Sequence, residues 1–225
     1  MTFSLIGRCE KTNMVGVAIS SSSISVASRC PWVRAEVGAA STQNVTDPSL
    51  GNLMLDYLEQ GLTVNEVINK IIKEQKNIEY RQLLLIDNKG NTSQHTGSKI
   101  LGISGLEKGP NCIGAGNMLK SKMVPKAMVD NFTNNPNVHL AERLLLALKA
   151  GLDEGGEEGP VHSAGIKVAD NTLWPLVDLR IDWLENKPIE ELYKLWKAFE
   201  PQMKDYKSRA LNPSESPSYG VPGDL

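Results

Sequence analysis

The sequence predicts an α+β fold, a four-layer αββα sandwich in which two mainly antiparallel sheets pack together and helices cover both outer faces. Three observations predict it. Strand-like runs and helical stripes come in blocks: strands, two helices, strands, two helices, strands and one helix. The links between consecutive strands are short and polar, as hairpins require. Helix pairs cannot sit inside an antiparallel sheet, so they must cover its faces. A single mixed sheet with helices on one side is the other arrangement that this order allows.

The first strands are Thr2 to Ile6 and Met14 to Ile19, joined through the polar piece Arg8 to Asn13. Ser20 to Ser25 follows as a serine-rich stretch, either a flexible loop or a place where small side chains let something approach closely. Val33 to Thr42 carries small and β-branched residues suited to a strand buried on both faces. Asp47 and Pro48 open a helix whose Leu50, Met54, Tyr57 and Leu58 share a face until Gly61 closes it. Thr63 to Glu66 is a capping box, and Val67, Ile68, Ile71 and Ile72 make the stripe of a second helix.

Gln82 to Ile86 reads as a buried strand that turns through Asp87 to Asn91 into Thr92 to Thr96, and a further strand runs from Cys112 to Ala115. Val124, Met128 and Phe132 mark one helix. Asn135 and Pro136 begin a second, striped by Leu140, Leu144, Leu145, Leu148 and Leu152, with His139 facing solvent. The glycine-rich Gly151 to Gly159 ends it. Strands follow at His162 to Val168 and Leu173 to Asp182, the latter alternating Val177, Leu179 and Ile181 with Asp178, Arg180 and Asp182. A last helix starts at Pro188 and stops at Pro201.

The 225 residues suffice for one domain, expected over residues 1–211, with a Pro, Ser and Gly-rich tail at 212–225. With 24 Lys+Arg against 26 Asp+Glu, a formal charge of -2 and no stretch concentrating either sign, nucleic acid is not an expected partner. No apolar run approaches the ~20 residues of a membrane helix, and the start lacks signal-peptide character, so a cytoplasmic protein that does not enter a membrane is expected. Cys9, Cys30 and Cys112 lie far apart with no CxxC pair, and are expected to be reduced and buried.

Residue 2 is the most informative for chemistry. Threonine after Met1 is small enough for the methionine to be trimmed, leaving Thr2 as the first residue. Such a residue holds a hydroxyl nucleophile and an amine, ordinarily titrating near 7.7–8.0, on one residue, so no histidine base is needed. Many proteins begin Met-Thr, and a plain strand start is the alternative. Ser21, Gln43 and Asn44 end strands expected near the first, where they could bond a nucleophile or a substrate amide, or shape turns. His95, His139 and His162 are too scattered for a metal constellation, GxSxG is missing, and the glycines around Gly114 and Gly116 do not make a nucleotide loop. Neither metal nor cofactor is expected.

The stretches GVAISSSSISVASRCPWVRAEVGAASTQNVTDP, IEYRQLLLID, HTG, GAGNML, HLAERLLLALKAGLDEGGEEGPVHSAG, VDLRID and PSYGVPGDL resemble the family DUF1028 over nearly the whole chain. That family is grouped with the N-terminal nucleophile (Ntn) hydrolases. The resemblance implies the αββα sandwich, Thr2 as nucleophile with its own amine as base, and an oxyanion site at the turn Gly114 to Asn117 formed by the Asn117 amide and nearby backbone N–H groups such as that of Gly116, with a tight strand-to-helix turn as the alternative there. In the pattern it resembles, a lysine often follows the position of Ser21; here Ser22 stands there, leaving Arg34 or Arg180 to hold the amine neutral by repulsion. Arg180 has the competing option of an ion pair with Asp178 or Asp182. The function implied is hydrolysis of a small amide, with a non-catalytic ligand-binding or assembly protein as the alternative. A homodimer is expected, with the tail packing on the partner subunit.

Overall fold

The structure is a computed structural model that describes residues 1–220. In chain order it forms β1 (Thr2–Arg8), β2 (Val15–Ser21), β3 (Pro31–Arg34), β4 (Gly38–Asn44), α1 (Ser49–Glu59), α2 (Val64–Glu74), β5 (Arg81–Asp87), β6 (Thr92–Thr96), β7 (Gly105–Gly109) and β8 (Cys112–Asn117). Then come α3 (Val124–Asn134), α4 (Leu140–Asp153), β9 (Ser163–Ala169), β10 (Val177–Ile181), α5 (Pro188–Phe199) and α6 (Met203–Leu211). Two sheets result, one of six strands in the order β10-β9-β2-β1-β8-β7 and one of four in the order β3-β4-β5-β6, with every pairing antiparallel. The αββα sandwich is the observed fold.

Strand alternation builds its three largest cores. In β1, Phe3 and Leu5 point outward into a core shared with α3, α4 and α5, built around Phe132, Leu144, Leu148 and Trp196. In β5, Leu83 and Leu85 point outward to α1 and α2, against Met54, Leu55, Val67 and Ile71. The residues of opposite parity, among them Ile6, Val15, Val17, Ala39, Leu84, Ile86 and Ile113, meet between the sheets. Each fully buried side chain of this size contributes about 1.5–3 kcal/mol, so the layers are locked by burial on both sides of each sheet.

Helix ends follow local chemistry. Thr63 and Glu66 form the capping box of α2, with the Thr63 N–H donating to Glu66 Oε2 at 2.8 Å. α5 starts at Pro188 with Glu190 and Glu191 in its first turn, where the helix dipole favours negative charge. α4 begins at Leu140, not at Asn135. Its cap is His139, whose Nδ1 accepts from the Ala141 N–H at 3.2 Å while its ring stacks 5.1 Å from Trp196. The ring is therefore half-buried against α5 and does not face solvent, and that burial lowers its pKa and keeps Nδ1 an acceptor.

Other expectations change in the structure. Val33 to Thr42 is not one strand, because Glu36 at φ 62° turns the chain between β3 and β4. Ser20 and Ser21 are not loop but the buried end of β2, paired to Ala164 and Ser163. The tenth strand begins at Val177, and Leu173 is fully exposed. Pro201 does not end the last helix, since a 3-10 turn at Glu200–Gln202 carries the chain into α6. After α6, Arg209 donates to the carbonyls of Pro217 at 3.0 Å and Ser218 at 3.1 Å and lies 3.9 Å from the Tyr219 ring centre. The end of the PSYGVPGDL stretch, expected on a partner subunit, lies outside the described residues. Among those residues no helix is long and apolar enough to cross a membrane.

Candidate functional site

The layer between the sheets changes character along the strands. One end is the apolar cluster around Ile6, Val17, Ala39 and Leu84. At the other end, the same inward parity brings up Thr2, Ser4, Ser21, Ser41, Gln43, Gln82 and Asn117, all buried. Polar groups out of water cost about 1–3 kcal/mol each when unpaired, so their hydrogen bonds define the site. Ser4 Oγ donates to Gln43 Oε1 at 2.7 Å, and Gln43 Nε2 donates to Gln82 Oε1 at 2.8 Å. Gln82 Nε2 then donates to the Gly116 carbonyl at 3.2 Å, and Asn117 Nδ2 to Gln82 Oε1 at 3.3 Å. The chain of bonds crosses from one sheet to the other and back, tying β1, β4, β5 and β8 into a fixed frame.

Thr2 begins β1, the strand flanked by β2 and β8, and is 5% exposed. Its register partner on β8 is Asn117, which places the two side chains side by side on the inner face, with Cβ atoms about 4.5–5.5 Å apart. The Thr2 hydroxyl lies 3.3 Å from the Ser21 hydroxyl, and both hydroxyls bond the Met1 carbonyl. Ser21 Oγ is itself held by the Ser23 N–H at 3.0 Å. Asn117 Oδ1 is buried without a hydrogen-bond partner, an acceptor beside Thr2 that awaits a donor.

The structure thus gathers Thr2, Ser21, Gln43 and Asn117. Gly116 belongs to the frame through its carbonyl and is closely packed, since a Cβ there would sit 2.6 Å from Leu119 Cδ2 and 3.1 Å from Phe3 Cβ and the Leu119 side chain would have to shift. Asn44 takes the turn role: at φ 73° it donates to the Tyr80 carbonyl at 2.8 Å and accepts from the Leu101 N–H at 3.3 Å. Arg34 pairs in register with Gly38, at the far end of β4 from Gln43, about 17 Å away at strand rise, and binds Asp56 and Glu59 of α1 at 2.8 Å each. Arg180 stands on the edge strand β10, paired 3.1 Å from Asp182. Neither arginine reaches Thr2. Cys30 and Cys112 are buried thiols pushed up to about 11, so both stay protonated near neutral pH.

Sequence reasoning passed over Gln82, the hub of the network, and Glu157. Gln82 was open to detection, since it shares inward parity with Leu84 and Ile86. Glu157 was not, because it sits in a glycine-rich segment that reads only as a helix terminator. It is 1% exposed, and burial raises its pKa from 4.5 to about 7, partly offset by the N-terminal ammonium of Met1 and by the Ser22 hydroxyl and N–H. Neither carboxylate oxygen makes a hydrogen bond of standard geometry. The position where lysine was anticipated thus faces a buried carboxylate with a neutral serine. Two cavities, of about 720 and 830 Å³, open near Glu36, Asn88 and Lys89 at the opposite end of the strands and take no part in this cluster.

The frame makes a clear prediction. Gln82→Leu strands the Gln43 and Asn117 amide donors and the Gly116 carbonyl together, and should lower stability by about 2–4 kcal/mol in urea unfolding. A loss below half a kcal/mol would mean that the network does not hold the sheets.

Protein SPO2555 from Silicibacter pomeroyi, described as a DUF1028 structure, is 28% identical, covers 88% of each chain and superposes with a TM-score of 0.81. Anbu (ancestral beta-subunit) from Yersinia bercovieri is 11% identical over 91% of this chain and 97% of its own, with a TM-score of 0.40. A Gly-1 mutant of Anbu from Hyphomicrobium sp. strain MC1 is 14% identical over 90% and 96%, with a TM-score of 0.41. No curated protein matches the sequence. The model of DUF1028, a family of unknown function, matches residues 2–192, and the chain belongs to that family.

Proposed function

We propose that the protein is an amidohydrolase of the N-terminal nucleophile type, acting on a small amide after Met1 has been removed. The observation that carries this reading is the place of Thr2: a hydroxyl at the head of a central strand, buried between two sheets with Asn117 beside it across the ladder. With Met1 gone, the Thr2 amine takes the proton of its own hydroxyl as Oγ1 attacks the amide carbonyl. The C–O bond forms, the C–N bond breaks, and the proton passes to the leaving amine. Water activated by the same amine then hydrolyses the acyl-threonine. The Ser21 hydroxyl supplies a donor for the oxygen that becomes negative, and Asn117 Oδ1, without a partner beside Thr2, accepts from the Thr2 amine or the substrate N–H.

One observation favours a non-catalytic binding protein: Met1 fits the site, its carbonyl held by the Thr2 and Ser21 hydroxyls. Retained, it would leave Thr2 without a free amine. Intact-mass spectrometry of untagged protein, before and after exposure to an electrophile that acylates activated N-terminal hydroxyls, separates the two readings. Loss of Met1 with one adduct on Thr2 is expected. Met1 retained and no adduct would overturn the hydrolase reading.

A further inference from the structure

Met1 sits in its place as a ligand would. Its carbonyl accepts from Ser21 Oγ and from the Thr2 hydroxyl. Its ammonium lies within electrostatic reach of the buried Glu157 carboxylate and favours the charged form of that group, without an ion pair within 4.0 Å. Its side chain lies against Gly159, where a Cβ would stand 2.8 Å from the Met1 Cε and 3.4 Å from its sulfur. The carbonyl of the N-terminal aminoacyl group is thus held at the end of β2, while its ammonium and side chain lie toward one segment, Glu157 to Gly159.

Glu157 is fixed to this task by its backbone. It forms a bridge to Leu119, and the flanking pairs are the Lys120 N–H to the Gly156 carbonyl at 3.1 Å and the Glu158 N–H to the Met118 carbonyl at 2.9 Å. The segment therefore follows directly on Asn117, and the side chain, 1% exposed, is committed to the interior. A buried carboxylate without hydrogen bonds is costly unless a cation meets it. Loss of Met1 takes its ammonium away from Glu157 and leaves the new N-terminal amine one residue further along, on Thr2. Glu157 and Gly159 also line a cleft of about 500 Å³, together with Lys120, Val161 and Asn186, so the segment that the Met1 side chain touches borders space enough for side chains larger than methionine.

We propose that the slot filled by Met1 is a recognition site for an α-aminoacyl group, with Glu157 binding its ammonium, Ser21 its carbonyl and the cleft past Gly159 its side chain. The substrate class is then an amide of an α-amino acid with a free amine. This rests on the hydrolase reading for the fate of the acyl group, but not for its binding.

The test is calorimetric, at pH 8, on the full chain beginning at Thr2 and on the same chain carrying Thr2→Ala, which binds without turnover. L-methionine amide is compared with its des-amino analogue. The amide should bind at least ten-fold more tightly than the analogue, and Glu157→Gln, checked for folding by its melting transition, should erase most of that preference. Equal binding of the two ligands, or binding of neither, would overturn the proposal, and the ligand comparison on the unmutated carboxylate decides even if the variant misfolds. Amine-dependent binding without hydrolysis of L-methionine p-nitroanilide would sustain this site and overturn the hydrolase reading instead.

Discussion

Thr2→Ala is expected to abolish acylation and amide turnover, by about a thousand-fold or more, while the chain stays folded. Alanine is as small as threonine for removal of Met1, so the variant keeps the free amine and its place in β1. What it loses is Oγ1 and a methyl group. The structural cost is modest: the hydroxyl has a 3.3 Å contact with Ser21, and a buried hydrogen bond of that kind is worth about 1 kcal/mol. The kinetic cost is the whole covalent pathway, because no other nucleophile stands beside Asn117 with an attached base. Ser21 is the nearest hydroxyl, but it is held by the Ser23 N–H at 3.0 Å and carries no amine. The measurement pairs turnover with thermal melting. Thr2→Ser should retain activity and Thr2→Ala should lose it at nearly the same melting temperature. Full activity in the alanine variant would remove Thr2 from the chemistry.

What the sequence made legible was whatever is decided locally. The capping box of Thr63 and Glu66, the stripes of α2 and α4 and the alternation in β10 are properties of a few neighbouring residues, and they appear where they were read, except that Val64 and not the exposed Ile72 completes the buried face of α2. β7 escaped because Gly105–Gly109 carries glycines and charges in place of β-branched residues; it is a strand through pairing with β8. α6 escaped because a proline near a helix start is as acceptable as one after its end, and Pro201 sits in a 3-10 turn that leads on. At the site, Thr2, Ser21, Gln43 and Asn117 were named singly, but that Gln82 bonds Gln43, Asn117 and Gly116 together depends on how the two sheets face each other. Arg34 and Arg180 were plausible by charge alone, and cross-strand and helix partners claimed both.

In the chain that keeps Met1, Glu157 should govern how stability varies with pH. Its folded-state pKa is raised from 4.5 to about 7, with burial the leading cause. Between these values the folded chain holds a proton on Glu157 that the unfolded chain has released. Unfolding therefore releases that proton, and this contribution to stability is fully present below about 4.5 and lost as the pH rises through about 7. Since one pKa unit corresponds to about 1.4 kcal/mol, the loss is of the order of 3 kcal/mol, or roughly 2–4 °C of melting temperature per kcal/mol for a chain of this size. Glu157→Gln carries the neutral shape at every pH. It should match the parent near pH 4.5, melt higher above pH 7, and flatten that part of the curve. A parent and variant that fall in parallel from pH 5 to 8 would show that the carboxylate is already paid for in the folded chain, by a partner that the Met1 ammonium and Ser22 do not represent.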